Sequence, residues 1–170
     1  NNNCFNVNVS FYHDGNQLCG TGGSILQSIN KLPENFFILY GDTLLQIDLD
    51  DMYNFYNTNS HQTVMSIFKN KSMYDKSNVQ KLSNNIITYN KEDRQNDMSY
   101  IDYGISIVNK EVFISNTDKT LTDLSSFYKT ISSKNKLLGY EVFERFYEIG
   151  SFEGIKQTQS FVKENLSLFE

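Results

Sequence analysis

The stretch Phe36-Phe37-Ile38-Leu39-Tyr40-Gly41-Asp42 decides the fold. An unbroken apolar run without polar alternation reads as a strand buried on both faces, the kind found inside parallel sheets covered by helices. Gly41 ends the run, and Asp42 then lies beyond a strand's carboxyl end, where open α/β sheets bind ligands. Upstream, Ile25, Leu26, Ile29 and Leu32 fall at helical spacing, and Pro33 closes that helix by pushing Leu32 out of the α region. Gly20-Thr21-Gly22-Gly23 precedes it as a turn, and Phe5 to Phe11 alternates like a half-buried strand. Downstream, the acids from Asp48 to Asp51 favour the start of a helix through Tyr56.

Further strands are expected at Thr63–Phe68, Tyr100–Val108, Leu137–Tyr140 and Val142–Ile149. Between Lys69 and Asp97 the chain turns polar, and a hairpin-bearing surface excursion with a short strand at Ile86–Tyr89 is expected. Leu121, Leu124, Phe127, Tyr128 and Ile131 mark a helix capped by Thr120 or Thr122. Phe152, Ile155 and Val162 give the closing helix one core-facing stripe. Strands alternating with helices indicate an α/β layered fold.

The 170 residues suit one domain, and 39% hydrophobic with 14% aromatic residues provide a core. Fifteen basic against twenty acidic side chains give a net charge of −5, without the basic stripe of a nucleic-acid binder. No apolar run approaches the roughly 20 residues needed to cross a bilayer, and the first residues do not read as a signal peptide. Cys4 and Cys19 lack the spacing of a zinc site and are read as packing thiols in a reducing compartment, so a cytoplasmic location is expected. His13 and His61 are isolated, with no partner at a telling spacing.

Two acids end strands beside glycines: Asp42 after Gly41, and Glu148 two residues before Gly150. Together they could hold one Mg²⁺, which commonly takes one or two carboxylates plus substrate phosphates. Read singly, Asp42 could equally cap a turn and Glu148 be a solvated strand end. The Gly20–Gly23 turn allows close backbone approach at a helix start. Asp48-Leu49-Asp50 resembles the acid-x-acid metal motif of glycosyltransferases but reads better as a helix cap.

In order, Gly20-Thr21-Gly22-Gly23, Leu39-Tyr40-Gly41-Asp42, Tyr89-Asn90-Lys91, Ile101-Asp102-Tyr103-Gly104 and Tyr147-Glu148-Ile149-Gly150 resemble the motifs of sugar-1-phosphate nucleotidyltransferases. The resemblance spans about Val9 to Val162. It implies a Rossmann-like, glycosyltransferase-A-like mixed sheet with helices on both faces. It also implies transfer of a nucleotidyl group from a nucleoside triphosphate to a sugar 1-phosphate, giving nucleotide-sugar and pyrophosphate. Asp42 and Glu148 then match the Mg²⁺-holding acids, and Lys91 the lysine that pairs with the sugar phosphate; these three are the catalytic candidates. Gly20, Thr21, Gly22 and Gly23 match the turn against the nucleotide base and ribose, and Gly41 adjoins the metal acid. Asp102, in place of the more usual Asn, and Gly104 match positions beside the sugar. Glu148 is longer than the usual Asp, so its carboxyl group must be accommodated.

The family's opening Gly-rich loop with Arg and Lys has no counterpart before Phe5. Residues 1–170 are therefore expected to be a single domain forming the C-terminal two-thirds of a nucleotidyltransferase, inactive alone, without its N-terminal βα units. At roughly 30 residues per βαβ motif these would be about 60–80 residues, supplied by the same or a separate chain; a homo-oligomer is left open. The alternatives are a non-catalytic nucleotide-sugar binding domain and a metal-dependent glycosyltransferase using Asp48 and Asp50.

Overall fold

The computed structural model describes residues 7–59, 62–70, 73–93 and 97–168, and the backbone of Asn3 and Cys4. His61 and the side chain of Cys4 lie outside the described residues. The chain opens with a two-residue ribbon, β1 (Asn3–Cys4) against β2 (Val7–Asn8). Val9 to Phe11 are not in a strand, so the longer strand expected there does not form. Helix α1 (Gly20–Ser28) continues into a 3₁₀ turn, and Leu32 is extended before Pro33. The Gly-Thr-Gly-Gly segment is therefore the first turn of the helix, not a loop ahead of it.

Then follow β3 (Asn35–Leu39), β4 (Thr43–Leu44), α2 (Leu49–Thr58) and β5 (Thr63–Phe68). Asp48 caps α2, its carboxylate accepting the N–H groups of Asp50 and Asp51 at 2.9 and 3.0 Å, which satisfies two donors orphaned by the helix end. The polar excursion folds as a hairpin of β6 (Val79–Lys81) and β7 (Ile87–Tyr89). It is not merely superficial, because Val79, Ile87 and Tyr89 are buried. A methyl group at Gly139 would meet Ile87 and Ile67 at 2.6 and 2.7 Å, so this glycine lets the hairpin lie against the sheet.

The chain ends with β8 (Ile101–Asn109), α3 (Lys110–Ser115), α4 (Leu124–Ser133), β9 (Leu137–Val142), β10 (Tyr147–Glu148) and α5 (Phe152–Glu164). Asp123, not a threonine, caps α4 by accepting the Ser125 N–H. Helix α5 buries a face rotated from the expected stripe. Gly154 is buried and Phe161 stacks on Tyr147 with ring centroids 4.2 Å apart, whereas Phe152 is 90% exposed.

The central sheet has the order β3-β8-β5-β9. β8 runs antiparallel to both neighbours, and β5 pairs parallel with β9. Met65 and Ile67, two residues apart on β5, share one face, and the extra residues of the irregularity between them lie on β8, where Ser106 and Asp102 are their partners. That face packs on α3 and α4 through Phe113, Leu124, Phe127 and Ile131. The other face, with Val64, Ile105, Ile107 and Leu138, packs on Met52 and Tyr56 of α2. The architecture is thus a mixed α/β sheet with helices on both faces. One expectation fails within it. β3 is an edge strand of this sheet, and Phe37 and Leu39 are 39% and 57% exposed, so it is not buried on both faces among the described residues.

Candidate active site

Beyond β3 the chain turns sharply toward β8. The Tyr40 N–H donates to the Gly104 carbonyl at 3.2 Å, and the Thr43 hydroxyl donates back to the Tyr40 carbonyl at 3.1 Å. β4 then pairs antiparallel with β10, setting Thr43 opposite Glu148 and Leu44 opposite Tyr147. The Ile149 N–H closes this ribbon on the Asp42 carbonyl at 2.9 Å. Two acids 106 positions apart in the chain therefore meet. A methyl group at Gly150 would lie 3.2 Å from Glu148 Oε2 and 3.4 Å from Asp42 Oδ2, so those oxygens are within 6.6 Å, the sum of the two reaches.

Both acids line a cavity of about 680 Å³, together with Tyr40, Asp102, Gly104 and Arg145. Asp42 is exposed and Glu148 half-buried. Glu148 accepts hydrogen bonds from the Gly150 and Ser151 N–H groups at 2.6 and 3.0 Å and from the Ser151 hydroxyl. Ser151 in turn caps α5 by accepting the Gly154 N–H at 2.9 Å. The Glu148 carboxylate thus rests at a helix N-terminus, where the backbone dipoles favour negative charge. The extra methylene relative to Asp is housed by Gly154, where any side chain would overlap Glu148 Oε1.

Asp102 sits at the sheet side of the cavity. Burial pushes its carboxyl up to about 6, against the lowering effects of the Gly104 N–H, the Tyr40 hydroxyl and the Lys91 charge. The Gly104 N–H donates to Asp102 Oδ1 at 3.0 Å, and the Tyr40 hydroxyl is 3.5 Å from Oδ2. Burial likewise raises Tyr40 well above the ordinary phenol range, keeping it a proton donor. Gly104 has φ of +108° and comes within 3.2 Å of the Thr43 hydroxyl at its Cβ position, so the backbone contact there requires glycine. Gly41 is exposed, and a methyl group on it would meet nothing within 4 Å.

Lys91 is exposed just after β7, and its charge acts on both Asp102 and Asp123. Gly20 to Gly23 are not among the residues lining the cavity with the acids. They pack on the segment before α4: the Gly22 N–H donates to the Thr122 carbonyl at 3.0 Å, and the Thr21 hydroxyl accepts the Leu124 N–H at 3.1 Å. A side chain at Gly20, whose φ is +72°, would overlap the Thr122 carbonyl. Neighbouring contacts thus link the candidates: the glycine turn adjoins Asp123, the Lys91 charge acts on Asp123 and Asp102, and Asp102 shares the cavity of the acid pair. His13 is exposed.

Sequence reasoning missed Tyr40, Arg145 and Gly154 as contributors. Gly154 had a signal, since a glycine inside a helical pattern usually has a packing reason. Arg145 is one of only two arginines in the chain. Among the described residues no group of three or more acidic, histidine or cysteine side chains could hold a metal. Asp42 and Glu148 remain as a pair of hard oxygen donors, the number Mg²⁺ takes when phosphates and water complete its shell. The donor set fits the ion.

No family model and no curated protein sequence matches this chain. Solved structures do. A protein assigned as a glucose-1-phosphate thymidylyltransferase from Bacillus anthracis, in complex with a sucrose, superposes with a TM-score of 0.69 at 11% identity, over 84% of this chain and 60% of that one. UDP-glucose pyrophosphorylase complexed with UDP-glucose gives 0.66 at 18% identity, over 88% and 64%. The inositol-1-phosphate CTP transferase from T. maritima gives 0.65 at 17% identity, over 87% and 64%. The chain spans less than two thirds of each neighbour's length. At these identities the likeness speaks for the fold, and the fold of this chain is the Rossmann-like mixed sheet of those nucleotidyltransferases.

Proposed function

We propose that this chain carries the acid pair and the sugar side of an enzyme that joins a nucleoside triphosphate to a sugar 1-phosphate, releasing pyrophosphate. The observation that carries the reading is the meeting of Asp42 and Glu148 in one cavity, fixed by the β4–β10 ribbon. The shared fold with nucleotidyltransferases supports the reaction class.

In this reading an oxygen of the sugar phosphate attacks the α-phosphorus, forming one P–O bond as the bond to pyrophosphate breaks. That oxygen is already anionic near neutral pH, so no general base is needed. Mg²⁺ bound by Asp42 and Glu148 would supply charge neutralisation at the phosphate oxygens. Lys91 holds the sugar phosphate, a positional role that raises the effective concentration of the nucleophile. Asp102 accepts from a sugar hydroxyl when ionised, and the Gly104 backbone keeps the sugar close. Of the glycine turn, Gly20 and Thr21 are the exposed residues that would meet the nucleotide, while Gly22 and Gly23 pack on the segment before α4.

The test is pyrophosphate release by the full-length protein with Mg²⁺, nucleoside triphosphates and a panel of sugar 1-phosphates. Release with a sugar 1-phosphate and its loss in Asp42→Asn are expected. Nucleotide-sugar binding without any release would make this a binding domain and overturn the reading.

A further inference from the structure

The cavity holds one feature that the reaction above does not use. Arg145 is half-buried in its wall, with the guanidinium carbon 4.2 Å from the Tyr74 ring centre and 4.4 Å from that of Tyr147. The guanidinium therefore contacts two aromatic rings. Its Nε–H donates to the Phe146 carbonyl at 3.3 Å, and Nη2 donates to Gln157 Oε1 at 2.8 Å. Both acceptors are neutral. A guanidinium has five N–H bonds, and the other three meet no acceptor among the described residues.

Glu153, an acid on this wall, is linked to Arg145 only through Gln157. Gln157 receives Arg145 on its amide oxygen and donates its amide nitrogen to Glu153 Oε1 at 3.0 Å, so it stands between the cation and the acid. Among the described residues Arg145 forms no ion pair. A partly desolvated cation, immobilised by two rings and lacking a carboxylate, offers its free edge as a planar fork for an anion.

We infer that Arg145 recognises a second anionic group, a carboxylate or a phosphate, on the sugar 1-phosphate. This rests on the transferase reading for the identity of the sugar site. The sugar is favoured over the nucleotide by which groups are neighbours. The Lys91 charge acts on Asp102 and on Asp123, which adjoins Gly22 of the glycine turn, whereas Arg145 lines the cavity with Asp102 and with Glu153 and Gln157 of α5. The 1-phosphate already has Lys91, so a separate cation fits a separate charge.

The experiment is calorimetric binding of glucose 1-phosphate, glucuronic acid 1-phosphate and glucose 1,6-bisphosphate to the full-length protein, repeated with Arg145→Gln and Arg145→Lys. At least one doubly anionic probe should bind about ten- to a hundredfold tighter than glucose 1-phosphate, the range of a charged hydrogen-bonded pair. Whichever of the two binds tighter identifies the group. Arg145→Gln should bring the ratio close to one, and Arg145→Lys should restore part of it. Loss of folding in Arg145→Gln would still leave the wild-type ratio and the lysine variant to decide. Equal binding of all three probes by the wild type overturns the inference while leaving the transferase reading standing. A preference that survives Arg145→Gln also overturns it, and binding of none of the probes overturns both.

Discussion

Two glycine-bearing corners of this molecule look alike in sequence and behave differently in three dimensions. At the acid corner, Gly41 and Gly150 flank carboxylates that line an open cavity, and space remains around Gly41. At the glycine turn, Gly20, Gly22 and Gly23 press on Leu121, Thr122 and Asp123, and the room that glycine leaves is filled by the protein's own backbone. Close approach is the common device. One corner leaves it facing solvent and the other closes it with packing, so the first should lose chemistry on substitution and the second stability.

The strongest way to break that contrast is Asp42→Asn. Pyrophosphate release should fall about a thousandfold, the scale of losing a charge-stabilising group at a reacting centre, while the melting temperature of this exposed site hardly moves. Next comes Gly20→Ala, which should cost roughly 2–4 kcal/mol in urea unfolding, because the positive φ and the Thr122 carbonyl both oppose a side chain. Unchanged stability there would mean that the turn is as open as the acid corner.

Asp102 probes the ground between the corners. Its folded pKa of about 6 lies above the ordinary aspartate value of 3.8, so the stability it contributes is fully present below about pH 3.8 and lost as pH rises through 6. Asp102→Asn should therefore be stabilised relative to wild type by about 3 kcal/mol more at pH 7.5 than at pH 3.5, read from paired denaturation curves. A constant difference would place the carboxyl in water. The smallest effect sharpens the contrast most directly. Gly41→Ala, at a negative φ with no neighbour within 4 Å, should stabilise the fold by about 0.5 kcal/mol, opposite in sign to the same change at Gly20.

Much of this was legible in the sequence, for reasons that particular residues make plain. β5 reads as a strand and is one, and Val64, Met65 and Ile67 are fully enclosed between two helical layers. β3 carries an equally apolar run yet lies at an edge, because hydrophobicity records what a strand is suited to bury and not which neighbours it has. Helix α5 misled for a related reason. Its period was right, but Tyr147 and Glu148 draw the Gly154 and Phe161 face inward, and no periodicity of α5 alone contains that information. The acid pair could be guessed from two strand ends followed by glycines. The role of Gly154 and the isolation of Arg145 from any carboxylate required the fold, since both depend on residues brought together across the chain.

The separation of the two acids depends on a ribbon only two residues long on each side, too short to hold itself. Tyr103 braces it: the hydroxyl accepts the Gln46 N–H at 3.1 Å and lies 3.4 Å from the carbonyls of both Gln46 and Arg145. Heat should therefore loosen this brace before the four-stranded core melts. On the proposed transferase reading, turnover would cease several degrees below the calorimetric transition and return on cooling.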